Sequence, residues 1–312
     1  MNLPEQSVEI MLNGLSDNTY KQYDSGIRAW LLYCRNHGYD YSVASVPIII
    51  DFLTEMFHKG ASYGTINSYK SSLTLLFNEI LDDYRIKRFM KGVFRMRPSK
   101  PKYDFSWNPN IVLTYLSQQG PNEDLTLEVL SKKTVTLLAL VTAHRVQTLS
   151  LIKLPNINAQ NPDEIIIYIP DIIKTSKPNS YQPVLKLPYY RENISICPAS
   201  CLKEYLNKTS QLRSLENQLF ISFKKPHNKI TTQTLSHWIK DILCKSGIDT
   251  SLFSAHSTRH AATTTASKLG VSIDVIRKCA GWTSASSTFA KFYNKEVVDS
   301  DFARSLLSNH SV

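Results

Sequence analysis

Three segments near the start of the chain repeat apolar residues every three or four positions, the spacing of an amphipathic helix. The first begins after Ser16, a good N-cap, and ends at Gly38, a residue type that favours helix termini. The second, 47–60, opens with a proline, which suits the first turn of a helix, and the third spans 66–80. The pattern therefore predicts a small helical bundle in this part of the chain.

The pattern changes twice in the remainder of the chain. It stays helical after Trp107 and then gives way, in 164–187, to β-branched runs on either side of a Lys-Pro-Asn-Ser turn, which predicts a β-hairpin. Helical spacing returns from Thr234, and Gly270 and Gly281 are placed to end two helices. The predicted fold is mainly α with a small antiparallel β-sheet.

The chain has 312 residues, 42% of them hydrophobic, which predicts sizeable cores and two domains rather than one. It has no run of eighteen apolar residues and no secretion signal at its start, so we expect an intracellular protein without a membrane span. The five cysteines are scattered and odd in number, which suits reduced thiols. Cys197 and Cys201 have no second close pair beside them, so no zinc site is expected.

The formal net charge is +10, a surplus that favours a polyanionic partner such as nucleic acid or an acidic membrane. Part of it lies in 85–102, a stretch without acidic residues. Its basic residues are Arg85, Lys87, Arg88, Lys91, Arg95, Arg97, Lys100 and Lys102. A run of charge is often only a solvated face, but unbalanced positive charge at a domain junction is what a clamp around DNA needs. We therefore assign these residues to DNA binding.

The segment HSTRH, 256–260, is part of the most informative constellation. His256 and Arg259 lie three apart and share a helix face, where an exposed guanidinium can grip a phosphate oxygen and leave the imidazole free to move a proton. Tyr293 stands thirty-four residues beyond Arg259. Taken singly, a histidine is usually packed or solvated, and Trp282 or a late tyrosine is usually structural. Only the ordered combination points to a catalytic site.

That combination resembles the tyrosine recombinase family, which includes phage integrases and bacterial Xer proteins, and the resemblance covers nearly all of the chain. Members carry an arginine after the first long helix of the catalytic domain, a hairpin lysine, a His-x-x-Arg pair, a later His or Trp, and a tyrosine. The matching residues, found in TAHRVQTLSL, IIKTSK, HSTRH, CAGW and KFYNK, are Arg145, Lys174, His256, Arg259, Trp282 and Tyr293. The resemblance implies an enzyme that transfers DNA strands and needs no cofactor or metal.

The resemblance also implies a division of the chain. Residues 1–97 are similar to the family's helical core-binding domain, which closes over DNA opposite the catalytic domain, and 98–108 form a linker. Residues 109–298 correspond to the catalytic domain. The tail, 299–312, has apolar residues at roughly helical spacing, which need a groove in the same chain or, as often in the family, on a neighbouring protomer.

Phosphodiester transfer develops negative charge on the non-bridging oxygens, and without a metal this charge must be met by preorganised cations. The resemblance assigns that role to Arg145 and Arg259, with His256 and Trp282 completing the cradle. The absence of a phosphate-binding GxxxxGK[ST] loop and of an HExxH zinc motif agrees with this assignment.

A tyrosine with a pKa of about 10 is a weak nucleophile at neutral pH, so Tyr293 needs neighbouring cations and a proton acceptor, for which His256 is the candidate. The leaving 5′ hydroxyl needs a proton from Lys174, although Lys177 in the same KTSK segment is an alternative donor. The resemblance implies a 3′-phosphotyrosyl intermediate, which conserves the bond energy without ATP.

Within the family, the segments HRVQTL, KTSKP, HSTRH, LGVSIDVIRKCAGW and FAKFYNK are most similar to recombinases of eukaryotic mobile elements, the DIRS and Crypton types. Two positions depart from the family pattern. Thr148 stands where bacterial members tend to carry an acidic residue, and Trp282 precedes Tyr293 by eleven residues, a slightly longer gap than is usual.

The partner implied by the resemblance is double-stranded DNA, bound by a dimer on one site and by a homotetramer in synapsis, in the nucleus of a eukaryote or otherwise in the cytoplasm. Two alternatives remain open: a domesticated relative that binds DNA without cutting it, and a type IB-like topoisomerase that relaxes supercoils without paired sites. The N-terminal bundle favours a recombinase over a topoisomerase. An RNA or membrane-surface binder explains the charge but not the ordered motif.

Overall fold

A computed structural model of the protein describes residues 4–99, 105–178, 181–213 and 216–282. The chain divides into two compact units, Met1–Pro101 and Lys102–Val312. No helix among the described residues is long and apolar enough to cross a membrane. Each of the five cysteines is a free thiol.

The described part of the first unit consists of helices joined by short turns. They are α1 (Glu5–Leu12), α2 (Asp17–His37), α3 (Val46–His58), α4 (Tyr63–Leu81) and α5 (Tyr84–Met96). The three helices predicted for this region are confirmed as α2, α3 and α4. Ser16 caps α2 by accepting a hydrogen bond from the Thr19 amide, and Gly38 ends it in the left-handed conformation with φ of 71°.

The core of this unit forms where α2, α3 and α4 meet. Trp30 is fully buried and packs edge-on against both Phe52 and Phe77. Gly26 lets α2 and α4 approach closely, because a Cβ at this position would lie 2.1 Å from the Ser72 hydroxyl. Aromatic packing and this close approach hold the three helices together.

The basic stretch identified in the sequence is largely a helix, α5, that the periodicity of the sequence did not predict. Ile86, Met90 and Val93 are buried against the rest of the unit at spacings of four and three. Basic residues fill the other face, so the helix is strongly amphipathic, but the stretch was interpreted only as a run of charge. The helix α1 was also not predicted, and it has no buried residue.

The second unit has a mainly helical scaffold and one small sheet. Its helices are α6 (Pro109–Ser117), α7 (Leu127–Thr142), α8 (Val146–Ser150), α9 (Pro198–Thr209), α10 (Thr232–Lys245), α11 (Ser257–Lys268) and α12 (Ile273–Cys279). Its strands are β1 (Ile157–Asn158), β2 (Glu164–Tyr168) and β3 (Val184–Pro188), antiparallel in that order, with Ile166 opposite Lys186. The predicted fold class, mainly helical with a small antiparallel sheet, is confirmed.

Helix α7 is the centre of the second unit. Almost all of its residues from Leu130 to Thr142 are buried, and α9, α10 and α11 all pack against it. Its C-terminal end therefore has a fixed position inside the unit, and the turn that follows carries Arg145.

The predicted hairpin is present, but its connection is longer than predicted. Strands β2 and β3 are joined by the whole of 169–183 rather than by a tight Lys-Pro-Asn-Ser turn. Pro170 and Pro183 interrupt the β-branched runs, because proline lacks the amide hydrogen that continued strand pairing requires. Lys174 consequently lies in the connection and not on a strand.

Candidate active site

The first element of the candidate site is the turn between α7 and α8. Ala143 ends α7 in the left-handed conformation with φ of 50°, which turns the chain so that Arg145 becomes the N-cap of α8. The Arg145 side chain is half-buried, and it makes no hydrogen bond or ion pair with a described residue. No described residue therefore occupies its guanidinium, which is available to bind a ligand.

Arg259, on the first turn of α11, is built into the unit. Its side chain is only 1% exposed, and one terminal guanidinium nitrogen donates to two backbone carbonyls, that of Ala143 at 2.8 Å and that of Ala280 at 2.7 Å. The guanidinium carbon lies 4.0 Å from the centroid of the Trp282 ring. One side chain thus ties together the turn before Arg145 and the turn before Trp282.

His256 lies at the N-cap of α11 and is exposed. The expectation of an exposed pair is therefore wrong for Arg259, because the two carbonyls and the indole ring enclose its guanidinium. The first residue of α11 is held in place by a buried hydrogen bond, in which the Trp107 indole donates to the Ser257 hydroxyl at 2.9 Å. The exposed imidazole and the buried guanidinium lie one turn apart on the same helix.

Trp282 follows the turn that ends α12. Gly281 adopts φ of 65° there, and the Trp282 amide donates back to the Arg277 carbonyl at 2.9 Å. The indole is buried in a small cluster with Ala143, Ile276 and Ala280. Gly270 and Gly281 take positive φ after α11 and α12, as predicted for helix-ending glycines.

Lys174 and Lys177 are both exposed in the connection between β2 and β3. The backbone near them is held locally, because the Ser176 hydroxyl accepts from the Ile173 amide and donates to the Gln182 side chain, both at 2.9 Å. The Lys174 side chain makes no ion pair or hydrogen bond within the described ranges. The structure therefore leaves both lysines as candidates for the proton donor.

Tyr293 and the tail 299–312 lie outside the described residues. Three other tyrosines of the second unit lie near the hairpin in the sequence, where we expect packing roles: Tyr189, Tyr190 and Tyr205. Of these, Tyr205 is fully buried and its hydroxyl accepts from the Ile221 amide at 3.1 Å. Burial also raises the pKa of Tyr205, which makes it a poor nucleophile. Tyr189 is half-buried, whereas Tyr190 is exposed.

His144, which directly precedes Arg145 in the chain and feels the charges of both family arginines, was not predicted from the sequence. The side chain is 5% exposed, and the pKa of its imidazole is lowered to about 4 by burial and by the charges of Arg259 and Arg145. The imidazole is therefore neutral at physiological pH. Its place directly before Arg145 in TAHR was the only available signal, and a single histidine beside a motif residue did not stand out.

A cavity of 840 Å³ opens beside these elements. Its walls come from the end of α7 with His144, from the connection around Thr175 and Ser176, from Lys186 on β3, and from the α12 turn with Trp282. Lys186 pairs with Glu164 across the sheet at 2.7 Å. Within the described ranges, no group of three or more His, Cys, Asp or Glu side chains is arranged to hold a metal ion.

The first unit has its own basic groove, between α4 and α5, with a volume of 630 Å³. It is lined by Tyr63, Asn67, Lys70, Lys87, Met90, Lys91, Phe94 and Arg95. Lys91 and Arg95 are exposed and have no ion pair in the described part of the unit. These two cations are therefore the least neutralised charges of the groove.

The remaining basic residues of this stretch differ in their surroundings. Arg85 pairs with Asp83 at 2.9 Å and Lys87 with Asp82 at 2.7 Å, so acidic residues just before the stretch offset them. Arg88 is exposed, and Lys100 and Lys102 lie outside the described residues. Arg97 donates to the carbonyls of Phe57 and Ala61 and lies over the Phe57 ring, so the packing of the unit itself uses its guanidinium.

Residues 123–297, more than half of the chain, match the phage integrase family. The chain therefore belongs to the phage integrase family, whose members are tyrosine recombinases. No curated protein matches the chain.

Several solved structures have a similar fold. The Tn1549 transposon integrase in complex with transposon right end DNA is 17% identical, with a TM-score of 0.64 over 98% of each chain. XerH recombinase bound to palindromic difH substrate is 17% identical, with a TM-score of 0.60 over 85% of this chain and 72% of that chain. A lambda integrase dimer bound to a COC′ core site is 15% identical, with a TM-score of 0.56 over 95% of this chain and 77% of that chain. At these identities the likeness is one of fold.

Proposed function

We propose that this protein is a site-specific DNA recombinase that cleaves and rejoins duplex DNA through a 3′-phosphotyrosyl intermediate. The observation that carries the proposal is the double hydrogen bond of Arg259 to Ala143 and Ala280. It brings together the turns that bear Arg145 and Trp282, two residues far apart in sequence that match the family's motif.

The scissile phosphate would lie against Arg145, with Arg259 fixed behind it. Cations held in place before the reaction stabilise charge on the non-bridging oxygens without reorganising during the step. Arg259 meets this requirement because backbone and ring contacts hold it still. Arg145, whose guanidinium has no hydrogen bond or ion pair among the described residues, is available to bind the phosphate. Trp282 then acts by supporting Arg259 rather than by donating to the phosphate.

In the proposed step the Tyr293 oxygen attacks phosphorus, and the bond from phosphorus to the 5′ oxygen breaks. The phenol proton passes to His256, whose exposed position at the start of α11 suits a proton acceptor, and Lys174 gives a proton to the leaving 5′ oxygen. Attack by a 5′ hydroxyl of a second strand reverses these transfers and frees the tyrosine. The step consumes no ATP and requires no metal.

The proposed substrate is double-stranded DNA, and the α4–α5 groove of the first unit is the proposed backbone contact. Its cations Lys70, Lys87, Lys91 and Arg95 line one groove, as contacts to successive phosphates require. The Tn1549 integrase, XerH and lambda integrase structures are DNA complexes, which supports the same substrate for this chain. One lambda integrase structure is a tetramer bound to a Holliday junction. By analogy, we propose a dimer on one site and a homotetramer in synapsis.

The biological setting is proposed from the sequence motifs. Similarity of HRVQTL, HSTRH and FAKFYNK to DIRS and Crypton recombinases suggests a mobile-element enzyme of a eukaryotic nucleus. The tail 299–312 is the proposed segment that docks on a neighbouring protomer in the tetramer. Both proposals concern where and with what partners the enzyme acts, and the chemistry does not depend on them.

The test uses a duplex nicked near the cleavage site, so that a short product diffuses away and leaves any phosphotyrosyl adduct trapped. We expect an adduct of protein and DNA that resists denaturation and forms in the presence of EDTA. A DNA-binding relative without cleavage activity would bind the duplex and leave no adduct. A topoisomerase would also form the adduct, but it would relax a supercoiled plasmid without paired sites, whereas a recombinase would exchange strands between two sites.

A further inference from the structure

We propose that His144 is a positioning residue that sets the spacing between the Arg145 turn and the Gly281–Trp282 turn. The proposal rests on the proposed function, because its purpose would be to hold Arg145 and Trp282 in register for the transferring phosphate. His144 belongs to the first turn and contacts the second. It therefore reinforces, by a second route, the link that Arg259 makes through backbone carbonyls.

The surroundings of His144 support this role. Its amide donates to the Thr142 hydroxyl at 3.3 Å, which anchors the residue to the end of α7. Its ring lies against Gly281, the residue that follows the end of α12. His144 is thus anchored through its backbone to the helix that precedes Arg145, while its ring meets the turn that precedes Trp282.

The fit against Gly281 is close. A Cβ placed at Gly281 would lie 2.7 Å from Cε1 of the His144 ring, with both ring nitrogens within 3.5 Å. Real Cβ atoms essentially never approach this closely, so the turn and the ring are matched in shape. Gly281 is therefore required twice, once for its φ of 65° and once for the absence of a side chain beside the imidazole.

The charge state of the ring also suits a spacer. Burial and the charges of Arg259 and Arg145 favour the neutral imidazole. Lys278 on α12 and Lys186 on β3 line the same cavity and add further positive charge nearby. An uncharged ring can lie near two arginines without repelling either, and it still offers a ring nitrogen to the opposite turn.

The first test compares His144→Leu, which fills similar space but removes the polar ring atoms, with His144→Gln, which keeps an uncharged polar side chain. Cleavage is measured as the maximal single-turnover rate on a saturating nicked duplex, together with the DNA concentration that gives half of that rate. We expect His144→Leu to lower the maximal rate about tenfold or more and to leave the half-saturating concentration within about threefold. His144→Gln should recover part of the loss.

Epistasis separates positioning from a general packing defect. If His144 acts through Arg145, then adding His144→Leu to Arg145→Ala should lower the residual rate by much less than it lowers the wild-type rate. Equal effects in both backgrounds would overturn the proposal, as would a wild-type maximal rate for His144→Leu. A rate loss that matches the loss of folded protein, measured by urea unfolding, would also overturn it.

A second test does not depend on DNA cleavage, so it separates failure of this proposal from failure of the proposed function. Gly281→Ala adds both backbone strain and a clash with His144, whereas Gly270→Ala, at φ of 84° with open space around it, adds strain alone. We expect Gly281→Ala to lower the urea midpoint more than Gly270→Ala does. Adding His144→Ala should remove that excess from Gly281→Ala and leave Gly270→Ala unaffected. If His144→Ala and each glycine substitution shifted the urea midpoint additively, for Gly281→Ala as well as for Gly270→Ala, the proposed contact would be contradicted.

Discussion

The guanidinium carbon of Arg259 lies 4.0 Å from the centre of the Trp282 ring, and the same guanidinium donates to the carbonyls of Ala143 and Ala280. A cation over an aromatic face, removed from water, is a favourable contact of about 1–2 kcal/mol. Arg259 is therefore part of the fold as well as of the site. Arg145 has no comparable partner among the described residues, so the two arginines should respond differently to substitution.

Arg145→Ala should abolish most cleavage while leaving the folded unit intact. Removal of a preorganised charge-assisted donor costs about 3 kcal/mol or more, which corresponds to a rate loss of about 100-fold or greater. Arg259→Ala should show a similar loss of rate and also lower the free energy of unfolding by about 2 kcal/mol or more, because two buried carbonyls lose their donor. Adduct formation on saturating DNA and urea unfolding measure the two effects.

The matched control for both variants is Arg191→Ala, which removes a largely exposed arginine of the same unit. This control should change neither the rate of adduct formation nor the free energy of unfolding appreciably. Normal cleavage by Arg145→Ala would remove that residue from the site. Unchanged stability of Arg259→Ala would contradict the structural role assigned to its carbonyl contacts.

Lys174 is the proposed proton donor to the leaving oxygen. Lys174→Ala should lower cleavage by about 100-fold or more, the usual contribution of a general acid. A duplex whose 5′ bridging oxygen is replaced by sulfur should restore the rate of this variant, because a thiolate leaves without a proton. The same comparison is made with Lys177→Ala and with Lys186→Ala, a lysine of the neighbouring strand that pairs with Glu164. Selective rescue of Lys177→Ala would transfer the role to that residue.

Much of the fold follows from short-range patterns. The cap Ser16 and the terminators Gly38, Gly270 and Gly281 act within one turn of their own helix, so sequence alone was sufficient to place them. The helix α5 was missed although its apolar and basic residues alternate at clear helical spacing. The stretch was interpreted only as a run of charge that leads into a linker, so its periodicity was not used.

The site was harder to predict than the fold. The resemblance named Arg145, Arg259 and Trp282 from the order of the motifs, but an exposed Arg259 was expected. Whether a guanidinium faces solvent depends on backbone carbonyls from distant parts of the chain, here Ala143 and Ala280. His144 was missed for the same reason, since its role comes from contact with a turn more than a hundred residues away.

The stability of the second unit should depend on pH through His144. The pKa of this imidazole falls from the ordinary value of 6.5 to about 4, chiefly because burial disfavours the cation, with Arg259 and Arg145 adding repulsion. The folded state therefore binds this proton less readily than the unfolded state. The stability that the neutral His144 imidazole contributes is fully present above pH 6.5 and is lost as the pH falls toward 4. A shift of this size corresponds to about 3 kcal/mol.

Urea unfolding of the wild type and of His144→Gln at pH 7 and at pH 4 measures this contribution. The free energy of unfolding of the wild type should fall by about 3 kcal/mol more than that of the variant, because glutamine does not titrate. Other groups that face the ring, Arg259 on α11 and Lys278 and Cys279 on α12, are retained in both proteins. Parallel losses in the two proteins would mean that the imidazole protonates as easily in the folded state as in the unfolded one.

Lys91 and Arg95 should account for part of the salt dependence of DNA binding. Each phosphate contact contributes about 0.9 to the slope of log affinity against log salt on duplex DNA, so Lys91→Gln with Arg95→Gln should flatten the slope by about 1.8. Arg97→Gln, the control from the same stretch, should leave the slope unchanged, because Arg97 is already bonded to the carbonyls of Phe57 and Ala61. Equal slopes for the double variant and the wild type would mean that Lys91 and Arg95 do not contact DNA phosphates and only form a solvated surface.

The central claim is that Tyr293 forms the covalent bond to DNA, and trapping on a nicked duplex tests it most directly. Tyr293→Phe is compared with the wild type and with Tyr190→Phe, which alters an exposed tyrosine of the second unit. We predict that Tyr293→Phe binds the duplex with wild-type affinity and forms no adduct, whereas Tyr190→Phe forms as much adduct as the wild type. An adduct formed by Tyr293→Phe would exclude Tyr293 as the nucleophile.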